Sequence, residues 1–348
     1  MIIGVCGFGS TGSSAVSDYL AEYREMQVID NMEFTFVSDT DSLIDLEYHV
    51  MHPHKNYYDS EMAFYRFEKM IKRNAILYSK SGHIKKERFY KLANDFISDI
   101  AMVSWHNYLL DADGKYIAYF KDALFRRRII QWIEQKIGRR INCYPMKKVY
   151  LSVNPTNFYD SAKKYVKAIM QEMGADFSKN IVLDQPFAGN NPQASFPFFE
   201  DPYAIVVDRD PRDNYVFAKT VLSGRNHYIP LDSVEDYVKY YRALRMNQPY
   251  QENNERILRI RFEDMVFNYE ETVAKINKFL NLPVNPAPKT IFIPDNSKAN
   301  TRVYERFPEY SEEIKYIEKN LSEYLYDFDK YKEITSSGKM FFGRVHQN

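Results

Sequence analysis

The chain has 348 residues with 47 basic and 47 acidic side chains, so its formal net charge is zero. That balance disfavours a general nucleic-acid binder, whose affinity comes from a net basic field. Apolar residues make up 45% and charged residues 27%, an ordinary globular mix that excludes disorder as the dominant state.

Glycine is scarce, at 12 residues, yet Gly4, Gly7, Gly9 and Gly12 all fall within the first dozen positions. The apolar run Ile2 to Cys6 reads as a buried strand, followed by a glycine-rich turn and a helix over Ser13 to Tyr23. Met26 to Ile29 predicts a second short strand. From about Asp39 to Gly174 the periodicity is helical, notably over Ser60 to Tyr78, Lys86 to Leu110 and Asp122 to Ile137, with a turn at residues 111–114. Strand patterns return at Lys147 to Val153, Asn180 to Leu183, Tyr203 to Val207 and Ile257 to Ile260. Helical patterns at Pro155 to Met173, Arg212 to Leu222, Val234 to Met246 and Tyr269 to Leu280 separate and follow them. A last helix is expected over Ser311 to Leu325, and then a loose tail. Strands alternating with helices argue for an α/β fold with a mostly parallel sheet flanked by helices. The expected organisation is one domain over residues 1–348, with a large helical insertion at approximately 45–175.

No stretch approaches the ~18 apolar residues of a membrane span, and the first residues lack the basic and apolar regions of a signal peptide. Cys6 and Cys143, the only two cysteines, make neither a disulfide framework nor a zinc cluster. A cytoplasmic protein with no membrane span is the expectation.

Gly7, Phe8, Gly9, Ser10, Thr11, Gly12, Ser13 and Ser14 have the spacing of a phosphate-binding loop. Glycines let backbone N–H groups turn around an anion, and the start of the next helix adds more. A nucleotide P-loop carries lysine where this chain has Ser13. Phosphoryl transfer uses that lysine, so an ordinary kinase is disfavoured. The second informative segment is Asp208-Arg209-Asp210-Pro211-Arg212-Asp213, at the end of a predicted strand. Arg209 and Arg212 suit a dianionic phosphate, or they serve only to pair with the neighbouring aspartates. Asp208 after an apolar strand also has the placing of a magnesium-binding aspartate.

Together these segments resemble the sulfotransferases that use 3′-phosphoadenosine 5′-phosphosulfate (PAPS). Thr11-Gly12-Ser13-Ser14 matches the last four positions of that family's phosphosulfate turn, and Arg209 to Asp213 reproduces its R-D-P-R-D segment. Arg261-Phe262-Glu263-Asp264-Met265, continuing to Phe279-Leu280-Asn281-Leu282, is similar to its R-Y-E-D-L … F-L-G-L element. Asp184-Gln185-Pro186 sits where many members carry K-T-P. The resemblance implies a P-loop-like fold, PAPS as donor with no metal, and Arg209 on the cofactor's 3′-phosphate. It also makes Glu33 the leading candidate for the base, because a glutamate follows the turn by about this interval in members acting on tyrosine or sugar hydroxyls. Met32-Glu33-Phe34 places that carboxylate between apolar neighbours at a strand end, a setting that can raise its pKa. This chain departs from the family at Ser10, where a basic residue is usual, at Gln185, which replaces lysine, and at Phe217, which stands where a serine is common. Lys219, Thr220, Ser223, Arg225 and Lys298 are nearby substitutes for those contacts.

His49, His52 and His54 read as a polar loop rather than a metal site, and His106 as a packed helix residue. Arg126-Arg127-Arg128 reads as a solvated helix face. The expected activity is transfer of a sulfuryl group from PAPS to an acceptor hydroxyl, on a small molecule or glycan, with carbohydrate favoured. The Tyr- and Phe-rich insertion would shape the acceptor pocket. The alternatives are a P-loop kinase using ATP and magnesium through Asp208, and a catalytically silent nucleotide-binding module.

Overall fold

The computed structural model describes residues 1–52, 58–107, 128–139, 147–222, 228–246, 252–283, 290–331 and 340. The strands are β1 (Ile2–Cys6), β2 (Met26–Ile29), β3 (Val103–Asn107), β4 (Lys147–Leu151), β5 (Asn180–Asp184), β6 (Pro202–Asp208) and β7 (Ile257–Arg261). The helices up to the middle of the chain are α1 (Ser14–Leu20), α2 (Leu43–Met51), α3 (Tyr58–Lys80), α4 (Lys86–Ile100) and α5 (128–137). Then come α6 (Phe158–Glu172), α7 (Pro211–Thr220), α8 (Val234–Ala243), α9 (Phe262–Phe267), α10 (Tyr269–Leu280), α11 (Pro294–Ser297) and α12 (Ser311–Asn320). The chain divides into two compact units, one of residues 1–38, 81–83 and 166–348, the other of residues 39–80 and 84–165.

The first unit is built on a five-stranded sheet in the order β2-β5-β1-β6-β7, with every pair parallel. β1 lies at its centre and is buried along its whole length, as a parallel strand covered on both faces must be. On one face Ile3, Val5, Val182, Ile205 and Val207 pack against Ala15, Val16 and Leu20 of α1 and Met265, Val273 and Ile276 of α9 and α10. A second cluster joins Tyr215 and Val216 of α7, Tyr237 and Tyr241 of α8, and Ile314 and Ile317 of α12. The strands beside β1 run out in opposite directions, to β5 and β2 on one side and β6 and β7 on the other. In a parallel sheet such a reversal opens a crevice at the carboxyl ends of the strands, and the glycine-rich turn leaves β1 at that point.

The second unit packs α2, α3 and α4 with the antiparallel pair β3–β4. Its large rings form its own core. Phe96 stacks on Tyr165 with centroids 5.0 Å apart, Tyr78 stacks on Phe89 at 5.0 Å, and Phe64, Phe67, Phe89 and Phe158 are fully buried. These rings are therefore not available as open faces for a sugar.

Several expectations change here. The helix expected over Lys86 to Leu110 stops at Ile100, because Ala101 turns extended and Val103 and Trp105 alternate with Ser104 and His106 in a strand. His106 thus lies on β3, opposite Lys148 of β4. The strand expected at Lys147 to Val153 pairs with β3 and takes no part in the parallel sheet. His49 lies within α2 and His52 caps its end, where a polar loop is expected from sequence. His54, Arg126, Arg127, Cys143, the turn at 111–114 and residues 341–348 lie outside the described residues. Arg128 lies in α5 with an exposed side chain.

Ile205 is fully buried in β6 next to the central strand. Ile205→Ala should cost about 2–5 kcal/mol in urea unfolding, the range for an unfilled core cavity. Lys275→Ala, which breaks only the exposed pair with Glu271 at 2.9 Å, should change stability by less than about 0.5 kcal/mol.

Candidate active site

A cavity of about 810 Å³ lies at the carboxyl edge of the parallel sheet in the first unit. Its walls come from the residues that follow successive strand ends: Gly7 and Gly9 to Ala15 after β1, Glu33 after β2, Gln185 and Phe187 to Gly189 after β5, Arg209 after β6 and Phe262 after β7. Of the residues expected at the site, Gly7, Gly9, Ser10, Thr11, Gly12, Ser13, Ser14, Arg209 and Glu33 share this lining. Phe8 and Arg212 do not.

The loop keeps its shape through backbone conformations that glycine reaches at little cost. Gly9 and Gly12 have φ of +83° and +84°, and Ser10 between them has φ of +56°. A side chain at Gly12 would also run into the ring of Phe262. Thr11 Oγ1 accepts from the Phe8 amide at 3.3 Å. Gln185, at the end of β5, spans the loop's mouth. Its Oε1 accepts from the Gly7 amide and its Nε2 donates to Ser13 Oγ, both at 3.1 Å. Ser13 Oγ is thereby an acceptor toward Gln185 and keeps its own proton to donate. α1 has only seven residues and its cap side chain makes no capping bond.

Arg209 is 3% exposed and its guanidinium lies between two rings, 4.6 Å from the centroid of Phe217 and 5.3 Å from that of Phe262. Its Nη1 donates to Ser10 O at 3.1 Å and its Nη2 donates to Asn300 O. Its Nε is buried with no hydrogen-bond partner. A guanidinium has five donors, so this side chain clamps the loop to the segment at Asn300 and still has capacity for an anion. Phe217, where the family commonly has serine, serves as one of the two faces that hold the cation; such contacts are worth about 0.5–2 kcal/mol. Arg209 is the one cation lining the cavity among the described residues. Lys219 is turned to Glu313 at 3.6 Å and Lys298 to Asp295 at 2.7 Å, while Thr220 bonds Val216 O. Ser223 and Arg225 lie outside the described residues.

Arg212 points elsewhere. Its fork meets Asp210 through Nε at 3.0 Å and Nη2 at 2.8 Å, and Nη1 reaches Glu318 at 3.0 Å. The sequence left open whether this arginine binds phosphate or pairs with an aspartate, and its fork is engaged in the pairing. Phe8 packs under the guanidinium of Arg245, whose carbon lies 4.0 Å from the ring centroid. Arg245 in turn grips Asp208 in a bidentate pair at 2.8 and 2.5 Å. Burial alone would raise the Asp208 pKa, but Arg245, helped by Arg261 and the Arg209 amide, holds it below its ordinary value. Asp208 is also absent from the cavity lining.

Glu33 stands on an exposed loop four residues beyond β2, just before the short 3-10 turn Thr35–Val37, and lines the cavity. Its setting is wetter than the apolar-flanked strand end expected from sequence. At another part of the cavity wall, Glu22 Oε1 accepts from three successive amides, those of Thr290, Ile291 and Phe292, at 3.1–3.3 Å. It ties that strap to the end of α1. The strap, Gln185, Asn214, Phe262 and Asn300 are site elements that motif reading did not single out for these roles. Gln185 carried a signal as a departure from the family pattern, and Phe262 lies in the R-F-E-D-M segment similar to the family's R-Y-E-D-L element.

Behind the cavity lies a buried set of acids. Asp213 accepts from the amides of Arg302 at 2.7 Å and Tyr304 at 3.3 Å, and Glu263 accepts from the Asp210 amide at 2.7 Å. Burial, only partly offset by Arg209 and reinforced by the like charges of Asp210 and Glu263, pushes the Asp213 carboxyl up to about 7. Glu263 is raised by burial too.

A family model described as the sulfotransferase family matches residues 3–286. The chain belongs to the sulfotransferase family. Among solved structures, it is similar to the sulfotransferase domain from the curacin biosynthetic pathway, at 12% identity over 92% of this chain and 97% of the other, with a TM-score of 0.37. It is similar to the sulfotransferase domain of the Synechococcus PCC 7002 olefin synthase at 12% identity, over 87% and 86% of the two chains, with a TM-score of 0.39. The Alicyclobacillus acidocaldarius sulfotransferase matches at 11% identity over 95% and 98%, with a TM-score of 0.35. No curated protein sequence matches the chain.

The raised Asp213 carboxyl sets a pH dependence. Because its folded pKa lies above the ordinary 3.8, its contribution to stability is full below that value and is lost as the pH rises through about 7. Asp213→Asn cannot ionise, so its unfolding midpoint should change less between about pH 5 and pH 8 than the wild type's. Equal slopes in the two proteins would rule out the assignment.

Proposed function

We propose that the protein transfers a sulfuryl group from PAPS to an acceptor hydroxyl, with the glycine-rich loop on the donor's phosphosulfate and Arg209 on its 3′-phosphate. The observation that carries this reading is the pairing of the loop with a buried arginine whose Nε has no partner, both on one cavity. When bound, the donor supplies an activated sulfuryl group whose departure leaves charge on a phosphate.

The chain's own groups meet the two demands of that chemistry. Loop amides and the hydroxyls of Ser13 and Ser14 donate to the phosphate, where charge develops. Glu33 takes the proton from the acceptor oxygen, and its exposed position on the cavity wall leaves it reachable by an entering hydroxyl. Fixed donors of this kind serve sulfuryl transfer without a metal. Asp208, the aspartate a magnesium-dependent kinase would need, is instead held by Arg245.

The acceptor class we favour is a carbohydrate or glycoconjugate hydroxyl, for which the half-exposed Tyr228 offers a ring on the cavity wall. No helix among the described residues is long and apolar enough to cross a membrane. We place the activity in the cytoplasm, with which the buried, unpaired thiol of Cys6 is in keeping.

Calorimetric titration with 3′,5′-bisphosphoadenosine and with ATP–magnesium checks the donor. Tight, magnesium-independent binding of the bisphosphate is expected, weakened about 100-fold in Arg209→Ala, the loss of charge-assisted bonds at a buried site. Preference for ATP–magnesium would overturn the donor assignment. Glu33→Gln should leave bisphosphate affinity unchanged and lower kcat by about 100-fold or more, the usual scale for removing a general base.

A further inference from the structure

A loop that binds an anion through its amides must have its carbonyls held elsewhere. Across each trans peptide the C=O and the following N–H point in opposite directions, so fixing one fixes the other. Here two successive carbonyls are held by side chains. Asn214 Nδ2 donates to Gly9 O at 3.0 Å and to Ser10 O at 3.5 Å, while Arg209 Nη1 donates to Ser10 O at 3.1 Å.

The Gly9 carbonyl is the more exacting of the two. It belongs to a peptide flanked by Gly9 at φ +83° and Ser10 at φ +56°. A peptide beside glycine meets the least steric resistance to turning over. Arg209 does not bond that carbonyl, so among the described residues Asn214 is the side chain that holds it. Asn214 lies in the first turn of α7 and is 4% exposed. A buried amide costs free energy unless its groups are paired, and here both ends are.

The chemistry also determines which way the amide faces. The two loop carbonyls can only accept, so the NH₂ end must face them. Oδ1 then faces Tyr237, whose single hydroxyl proton is shared between Pro211 O at 2.8 Å and Oδ1 at 3.1 Å. Burial pushes the Tyr237 phenol well above its ordinary range, so it stays protonated and a donor.

We propose that Asn214, oriented by Tyr237, is a positioning residue for sulfuryl transfer: it holds the Gly9 and Ser10 carbonyls so that the Ser10 and Thr11 amides are presented to the donor's phosphate. This rests on the function proposed above. The test measures binding of 3′,5′-bisphosphoadenosine and of inorganic pyrophosphate to the full chain and its variants.

Asn214→Ala should bind both probes about 10-fold more weakly, the loss of a positioning hydrogen bond. Asn214→Asp sets a carboxylate against two carbonyl oxygens. It should bind still more weakly at about pH 8 and recover as the pH falls and a protonated carboxyl regains a donor. A merely structural role would not produce that recovery. Tyr237→Phe removes one hydroxyl and should weaken binding about 3-fold, which serves as the readout if the Asn214 variants fail to fold.

Wild-type affinity in Asn214→Ala and Asn214→Asp, or in Tyr237→Phe where those do not fold, overturns the inference. If the wild type binds pyrophosphate but not the nucleotide, with the same losses in the variants, the brace stands and the donor assignment falls. If the wild type binds neither probe, both fall.

Discussion

Backbone geometry constrains this site more than any single side chain does. Amides gathered at the end of a strand can face an anion only if the carbonyls of the same peptides find donors on their other side. The loop after β1 has its carbonyls held from one element far away in sequence and its amide and hydroxyl groups bonded from a second. Arg209 and Asn214, from the β6–α7 junction, hold its carbonyls, and Gln185, at the end of β5, bonds Gly7 and Ser13. The loop is therefore a product of the sheet: β5, β1 and β6 lie side by side, and their ends must align for these bonds to form.

The same logic accounts for the buried charges behind the loop. Asp210 caps α7 and grips Arg212, Asp208 grips Arg245, and Asp213 holds the turn at Arg302 to Tyr304. Buried ion pairs of this kind contribute little net stability, because desolvation offsets their attraction. Their role here is orientation. They fix the β6–α7 junction so that Arg209 reaches both Ser10 O and Asn300 O between the rings of Phe217 and Phe262. Glu263 and Phe262 share one short segment, and the acid bonds Asp210 while the ring packs against Gly12 and Arg209.

How far the sequence could be read follows from the range of each signal. The central strands were legible, because Ile2 to Cys6, Asn180 to Leu183 and Tyr203 to Val207 are short apolar runs bounded by turn residues, and burial on both faces demands that pattern. The loop and Arg209 were legible for a similar reason, as glycine and arginine spacing survives in local sequence. The β3–β4 pair was not. Val103 to Asn107 reads as a continuation of an amphipathic helix until a partner strand more than 40 residues away supplies its hydrogen bonds. Arg212 was ambiguous, since one R-D-P-R-D segment places two arginines three residues apart and only packing decides which faces the cavity.

What the sequence alone determined is the class of fold, a glycine-rich strand–loop–helix turn and a resemblance to a family that moves sulfuryl groups, and it offered Glu33 as a candidate base. Those features are written in local composition and in the order of motifs. The tertiary structure decided which groups share a cavity and which are spent on holding it open. Gln185, Asn214, Phe217 and Asn300 acquire their roles only when strand ends distant in sequence come together, because a hydrogen bond to a loop carbonyl depends on where the chain returns in space.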